Sequence, residues 1–240
     1  MILPENTTYF APTAPVTDKA VVILPGGAYS HLADHEGAGY AQFLAAHGYH
    51  AFVVAYAIAP HRFPEPLIDA RRAIAFVRKN AASYGIDPHK IAVMGSSAGG
   101  HLAALTATST ATMGGDDTVD YLPDAQILCY PVICAPSSGV AHEGSYENLL
   151  GEKDLVREAA VDPSLLVTDT TPPAFIWHTH DDDCVNVINS YVYAQALRRH
   201  NVSAELHVFP HGPHGLGLAE DRPHVAQWSN LLLRWLAECF

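Results

Sequence analysis

Six short apolar runs, separated by stretches with helical spacing, constrain this chain more than any other feature. Residues 20–24 (AVVIL), 51–58 (AFVVAYAI), 91–94 (IAVM), 125–130 (AQILCY), 174–178 (AFIWH) and 205–209 (ELHVF) each read as a strand. Most lack polar alternation, which marks strands covered on both faces, as when helices pack on either side of a parallel sheet. The intervening stretches supply those helices. From Pro66 onward Leu67, Ala70, Ile74, Val77 and Ala81 recur at spacings of three and four, while Arg71, Arg72, Arg78 and Lys79 fall off that stripe. Helices are also expected over 39–46, after residue 100, over 187–200 and over 225–238. Pro25-Gly26-Gly27, His47-Gly48, Ala59-Pro60, Pro131 and Pro210 punctuate the pattern. No repeat or linker interrupts it, so residues 1–240 are expected to form one α/β domain with a mostly parallel sheet and helices on both faces.

Two stretches depart from the alternation. Residues 1–19 leave room for little more than one edge strand. Residues 131–173 are longer and more polar, with short helices expected near 146–150 and 153–160. Loops of this length inside a compact domain usually serve function, and 135–170 is a candidate partial lid.

Charge and cysteine usage narrow the partners. Lys and Arg number 13 against 25 Asp and Glu, a formal net charge of −12. So acidic a surface repels phosphate backbones and anionic lipid, which argues against nucleic-acid or membrane partners. The stretches 37–61 and 91–115 are uncharged and long enough to span a bilayer, but His47-Gly48-Tyr49-His50 breaks the first and Gly, Ser and Thr fill the second. Cys129, Cys134, Cys184 and Cys239 include no CxxC pair and are expected to be free thiols of a reducing compartment. The amino terminus has no basic segment followed by an apolar run. A cytoplasmic protein is expected.

The chemistry concentrates at strand ends. Gly95-Ser96-Ser97-Ala98-Gly99 fits G-x-S-x-G with Ser97 at its centre, directly after a strand and before a helix. Small residues two before and two after let such a turn close and hold the serine exposed in a strained conformation. The Ala98 amide then points at the position of a developing oxyanion. Ser96 is the competing serine, but only Ser97 has glycine at both flanking positions. A serine hydroxyl needs an imidazole to take its proton and a carboxylate to orient that imidazole. The run His180-Asp181-Asp182-Asp183 follows a later strand, and His211-Gly212-Pro213-His214 follows the last one. Any of the three aspartates could serve. His211, two residues past Phe209, has less loop with which to swing over the serine than His214. Leu24-Pro25-Gly26-Gly27-Ala28-Tyr29, after an early strand, can bring consecutive amides onto one oxygen. His178, His180 and the aspartates also suggest a metal set, since strand alternation would put both imidazoles on one face, yet no spacing rule supplies a third ligand. His31, His47, His50, His61 and His89 read as surface or loop residues.

The segments LPGGAYSHLADHEG, YAIAPHRFPEPLIDARRAIAFVRKNAASYGIDPHKIAVMGSSAGGHLAA, PPAFIWHTHDDDCVNVINS and ELHVFPHGPHGLGLA resemble the small bacterial acetylesterase/lipase branch of the α/β-hydrolases, from about residue 19 onward. The resemblance implies an α/β-hydrolase fold with shortened N-terminal strands. It also implies a serine carboxylesterase acting through Ser97, Asp182 and His214, with short acyl groups, acetyl especially, as substrate. The family's acid loop, Asp-Asp-x-x-Val, selects Asp182, and its Gly-x-His-Gly-Leu-Gly motif selects His214. Amides of Gly27, Ala28 and Ala98 would form the oxyanion hole, and no cofactor or metal is implied. The substrate would be a small-molecule or saccharide acyl ester. Ala28 stands where the family commonly has a third glycine, and Asn186 where it usually has proline. An arylformamidase-like amide hydrolase shares the same motifs, and a non-catalytic ligand receptor on this fold would be expected to lack one of the three residues.

Overall fold

The computed structural model describes residues 3–13, 15–109 and 120–240. In chain order they carry strands β1 (Thr7–Phe10) and β2 (Ala20–Leu24), helix α1 (Asp34–Ala46), β3 (His50–Val54), α2 (Glu65–Lys79), the short α3 (Ala81–Tyr84), β4 (Ile91–Ser96) and α4 (Ala98–Thr108). Then follow β5 (Ala125–Cys129), α5 (Glu143–Leu150), α6 (Leu155–Ala160), α7 (Pro163–Leu166), β6 (Ala174–Thr179), α8 (Ile188–Arg199), β7 (Ala204–Phe209) and α9 (Gln227–Glu238). Among the described residues, seven strands form one sheet in the order β1-β3-β2-β4-β5-β6-β7. Only β1 runs antiparallel, pairing with β3 as the expected edge strand, and every other pairing is parallel.

The continuous apolar runs divide by the two-residue period of a strand. Ala20, Val22 and Leu24 of β2 enter one core with α2, α4 and α8, while Val21 and Ile23 enter the other with α1 and α9. The same split sends Phe175 and Trp177 of β6 against Trp228 and Trp235, and Ala174 and Ile176 to the opposite face. Each fully buried Val, Leu or Ile contributes about 1.5–3 kcal/mol, so both faces must be covered for such strands to be stable. Helix α4 is buried on all sides, which its Ala- and Gly-rich sequence allows.

The chain visits β2, crosses to β3 on one side, then returns to β4 on the other. The sheet therefore reverses its direction of growth between β2 and β4, where Leu24 pairs with Gly95. Loops leaving adjacent parallel strands diverge there and open a crevice at their C-terminal ends, the usual place for a ligand in such sheets.

Several expected boundaries move. Helix α1 begins at Asp34 rather than near 39, with Asp34 and Glu36 in its first turn, where the helix dipole favours acids. The strand expected over 51–58 ends at Val54, because the following amides bond elsewhere: Ala55 to Asn6 O and Ala57 to the Asp69 carboxylate. The 131–173 region carries α7 in addition to the two expected helices, started by Asp162 capping the Ser164 amide. His50 is not a surface residue. It is 3% exposed on β3, with Nδ1 2.8 Å from the Tyr9 hydroxyl. The uncharged stretch 91–115 runs beyond the described residues after 109, and no helix among the described residues is long and apolar enough to cross a membrane.

Candidate active site

Ser97 lies at the turn from β4 into α4 with φ 54° and ψ −120°, a strained conformation for a residue with a side chain. The flanking glycines are sterically required. A Cβ on Gly95 would overlap the Gly99 carbonyl, and one on Gly99 would overlap the carbonyls of Leu24 and Pro25. Neighbouring backbone then locks the serine: its amide donates to Cys129 O and its carbonyl accepts from Val132 N, both at 3.0 Å. Ser96, by contrast, is fully buried and bonds the Tyr40 hydroxyl at 3.0 Å.

The loop after β7 brings His214 to Ser97. Its Nε2 is 2.8 Å from Ser97 Oγ and its Nδ1 2.7 Å from Asp182 Oδ2. A carboxylate only accepts, so Nδ1 carries the proton toward Asp182, and the Ser97 hydroxyl donates to Nε2. Asp182, from the turn after β6, also accepts the Cys184 and Val185 amides on Oδ1, each at 2.9 Å. Burial alone would raise its carboxyl, but hydrogen bonds from His178, His214 and the Val185 amide outweigh it and hold the group well below the usual carboxylate range. The acid is therefore an ionised partner for an imidazole. Chemically, this line can draw a proton from a serine hydroxyl and stabilise the charge that results.

The two other aspartates and the other loop histidine stand apart from that line. Asp183 is exposed, and Asp181 accepts from His211 Nδ1 at 2.9 Å and from the Gly212 amide at 2.8 Å. The side chain of His211 is 82% exposed. Strand alternation does not carry His180 alongside His178. β6 ends at Thr179, so His180 turns out to solvent, while His178 is 0% exposed and bonds Ser190 Oγ and Val185 O. Its Nε2 also lies 3.3 Å from Asp182 Oδ2, so His178 supports the acid. Among the described residues no group of three or more His, Cys, Asp or Glu side chains is arranged to hold a metal ion.

The turn after β2 packs beside the serine turn: a Cβ on Gly26 would lie 3.2 Å from Ser97 Cβ. Gly27 has φ 128°, and Ala28 and Tyr29 continue in the left-handed region at 54° and 57°. The Gly26 amide is occupied by the buried Glu36 carboxylate at 2.9 Å. Among the described residues, the Gly27 and Ala28 amides make no backbone hydrogen bond in the turns and loops, and Ala98 follows Ser97 directly at the start of α4. The sequence reading did not single out Glu36. It lies in a polar helix start, and only its 3% exposure marks it as unusual.

The 131–167 region is pinned to this turn and to the core. Asn148 Nδ2 donates to Ala28 O at 2.9 Å, and Arg62 reaches the carbonyls of Glu147 and Asn148. His101, pushed down to about 4 by burial, links the Tyr29 hydroxyl to Val161 O through contacts of 2.8 Å on each ring nitrogen. Tyr146, Leu149, Leu150 and Val161 are buried in the core shared with α2 and α4.

Comparison with known proteins agrees with this architecture. The chain is 37% identical over 226 residues to the endo-1,4-beta-xylanase B of Butyrivibrio fibrisolvens, covering 89% of this chain and 35% of that protein. It is 33% identical over 245 residues to the acetylxylan esterase of Xylanibacter ruminicola, covering 98% of this chain and 46% of that protein. The chain thus spans between a third and a half of these two relatives. The crystal structure of an acetyl ester-xyloside bifunctional hydrolase from Caldicellulosiruptor lactoaceticus superposes with a TM-score of 0.90 at 41% identity, covering 97% of this chain and 87% of that one. The BD-FAE family profile matches residues 8–197, and with that extent of match the chain belongs to the BD-FAE family, on an α/β-hydrolase fold.

Proposed function

We propose that this chain is a serine carboxylesterase that hydrolyses short-chain acyl esters, acetyl above all, carried on small molecules or saccharides. One observation carries the reading: the unbroken line from Ser97 through His214 to Asp182, at 2.8 and 2.7 Å. In this mechanism Ser97 Oγ attacks the acyl carbonyl carbon as His214 Nε2 takes its proton. The oxyanion of the tetrahedral intermediate accepts from the amides of Ala98, Gly27 and Ala28. Collapse expels the alcohol with the proton from His214, leaving an acyl-Ser97. Water, deprotonated by His214, then releases the acid and restores the serine. Asp182 stays ionised throughout and stabilises the imidazolium.

The acetyl preference is supported by the relatives named as acetylxylan esterase and acetyl ester-xyloside hydrolase. It is supported also by Ala28, whose methyl takes space beside the acyl carbonyl. A methylene that clashes costs typically about 1–3 kcal/mol, so kcat/KM should fall by more than about tenfold between acetyl and octanoyl esters.

A fluorophosphonate probe tests the reading. It should label the protein once, at Ser97, and Ser97→Ala should abolish labelling and lower kcat by about four to six decades. Label on Ser96, full activity in Ser97→Ala, or faster turnover of octanoyl than acetyl esters would overturn it.

A further inference from the structure

Tyr130 is the least expected backbone in the crevice. It follows β5 with φ 36°, a region that a bulky side chain rarely enters, so the fold holds this residue against its own preference. Its neighbours in sequence clasp the nucleophile: Cys129 O accepts the Ser97 amide, and Val132 N donates to Ser97 O. Its ring meets the His214 ring edge-on with centroids 5.0 Å apart. Its hydroxyl lies 2.6 Å from Glu36 Oε1 and 2.9 Å from the Gly217 amide, three residues past His214, with Tyr40 at 3.1 Å. Glu36 completes the connection, because its other oxygen accepts the Gly26 amide of the turn after β2. Tyr130 is 2% exposed and Glu36 3%, so the bond between them is shielded from solvent.

Building on the hydrolase reading above, we propose that Tyr130 and Glu36 are positioning residues that set two separately encoded loops in register. Tyr130 donates to Glu36, accepts from Gly217, and thereby fixes the histidine loop. Glu36 holds Gly26, and with it the turn that carries the Gly27 and Ala28 amides. Burial, with the Glu36 carboxylate adding to it, keeps the Tyr130 phenol protonated far above its ordinary range, so it remains a donor wherever the enzyme is folded. Neither residue hydrogen-bonds Ser97 Oγ or a His214 nitrogen, and Tyr130 meets the imidazole only by its ring. Their effect is on geometry, to which proton transfer and oxyanion stabilisation are steeply sensitive.

The test compares Tyr130→Phe with Tyr193→Phe. The second change also removes one buried phenol donor, from Tyr193 to Gln126 at 2.8 Å, but in α8 and away from the crevice. Tyr130→Phe should lower kcat on an acetyl ester by about ten- to a hundredfold with KM within about twofold, whereas Tyr193→Phe should leave kcat within about twofold. The low-field proton resonance of the His214–Asp182 hydrogen bond should shift or broaden only in Tyr130→Phe. Glu36→Gln keeps an acceptor for Gly26 and can donate to the Tyr130 oxygen, so it should recover most of the kcat lost in Glu36→Ala. This pair carries the test if Tyr130→Phe does not fold. Equal kcat in Tyr130→Phe and wild type, or no recovery in a folded Glu36→Gln, overturns the proposal. If the wild type neither turns over esters nor takes the fluorophosphonate label, the hydrolase reading fails instead. The resonance then decides the positioning role alone, and an unaltered signal in Tyr130→Phe rejects it.

Discussion

Ser97 and His214 stand 2.8 Å apart, yet opposite means hold them in place. The serine turn is set by its own sequence. Gly95 and Gly99 close it against backbone atoms, and the buried strand and helix on either side leave it nowhere to go. The histidine loop has little local structure of its own. Side chains from elsewhere hold it, with Thr179 and Asp181 on Gly212, His35 on Gly215 and Tyr130 on Gly217. A locally determined turn should fail abruptly when its residues change. A loop held by several distant contacts should weaken in steps.

The largest effect on folding is expected at the turn. Gly99→Ala places a methyl on the carbonyls of Leu24 and Pro25, where no flexible side chain can yield. Destabilisation on the order of 4 kcal/mol, about 8–16 °C in Tm, should follow and be visible by calorimetry. A folded and fully active Gly99→Ala would break the contrast at its strongest point.

Asp182→Asn should strike chiefly the histidine side, because an amide oxygen can still accept the Cys184 and Val185 amides. The imidazole loses its orienting acceptor, so kcat is expected to fall by about four decades while Tm changes by only a few degrees. Asp181→Asn and Asp183→Asn should cost far less. Steady-state kinetics on the three variants checks this, and a larger loss at Asp181 would assign the histidine loop's anchor, rather than the acid, the greater role.

A graded response is expected from Thr179→Val. It removes the donor to Gly212 O, a 2.8 Å bond, and leaves the other contacts on the loop intact. Loss of one such bond costs roughly 1–3 kcal/mol of local stability, so kcat should drop by about three- to tenfold. Adding His35→Ala should multiply that loss. An all-or-none collapse in Thr179→Val alone would show the loop to be as locally determined as the turn.

The smallest effect is a pH dependence. The Asp182 carboxyl is lower in the folded chain than in the unfolded one, so its contribution is full above the ordinary carboxylate range and is lost as pH falls through and below it. The stability difference between wild type and Asp182→Asn should therefore shrink by about 1 kcal/mol between about pH 6 and about pH 3. Denaturant titrations at both pH values measure it, and a difference that grows on acidification would reverse the sign assigned here.

The site was legible in unequal parts. Ser97 stands out because a glycine-flanked turn between strand and helix is a local requirement, written within five residues. The acid was legible only as one of three aspartates until a family motif singled out Asp182. What distinguishes it physically is burial, with two backbone amides on one oxygen and two imidazoles on the other. In the sequence His178 and His180 look like paired metal ligands because spacing alone does not show that β6 ends at Thr179 and turns His180 out to solvent. Glu36 and Tyr130 carried no local mark at all.

The order of strands and helices, the two apolar faces and the serine turn follow from the sequence itself, because periodicity and steric demand act over a few residues. Only the tertiary structure decides which aspartate is buried and which polar side chains become neighbours across 94 positions, as Glu36 and Tyr130 do. Those outcomes depend on where the chain crosses over between β2 and β4. Solvent exclusion there sets the strength of every hydrogen bond, and no stretch of sequence contains that information alone.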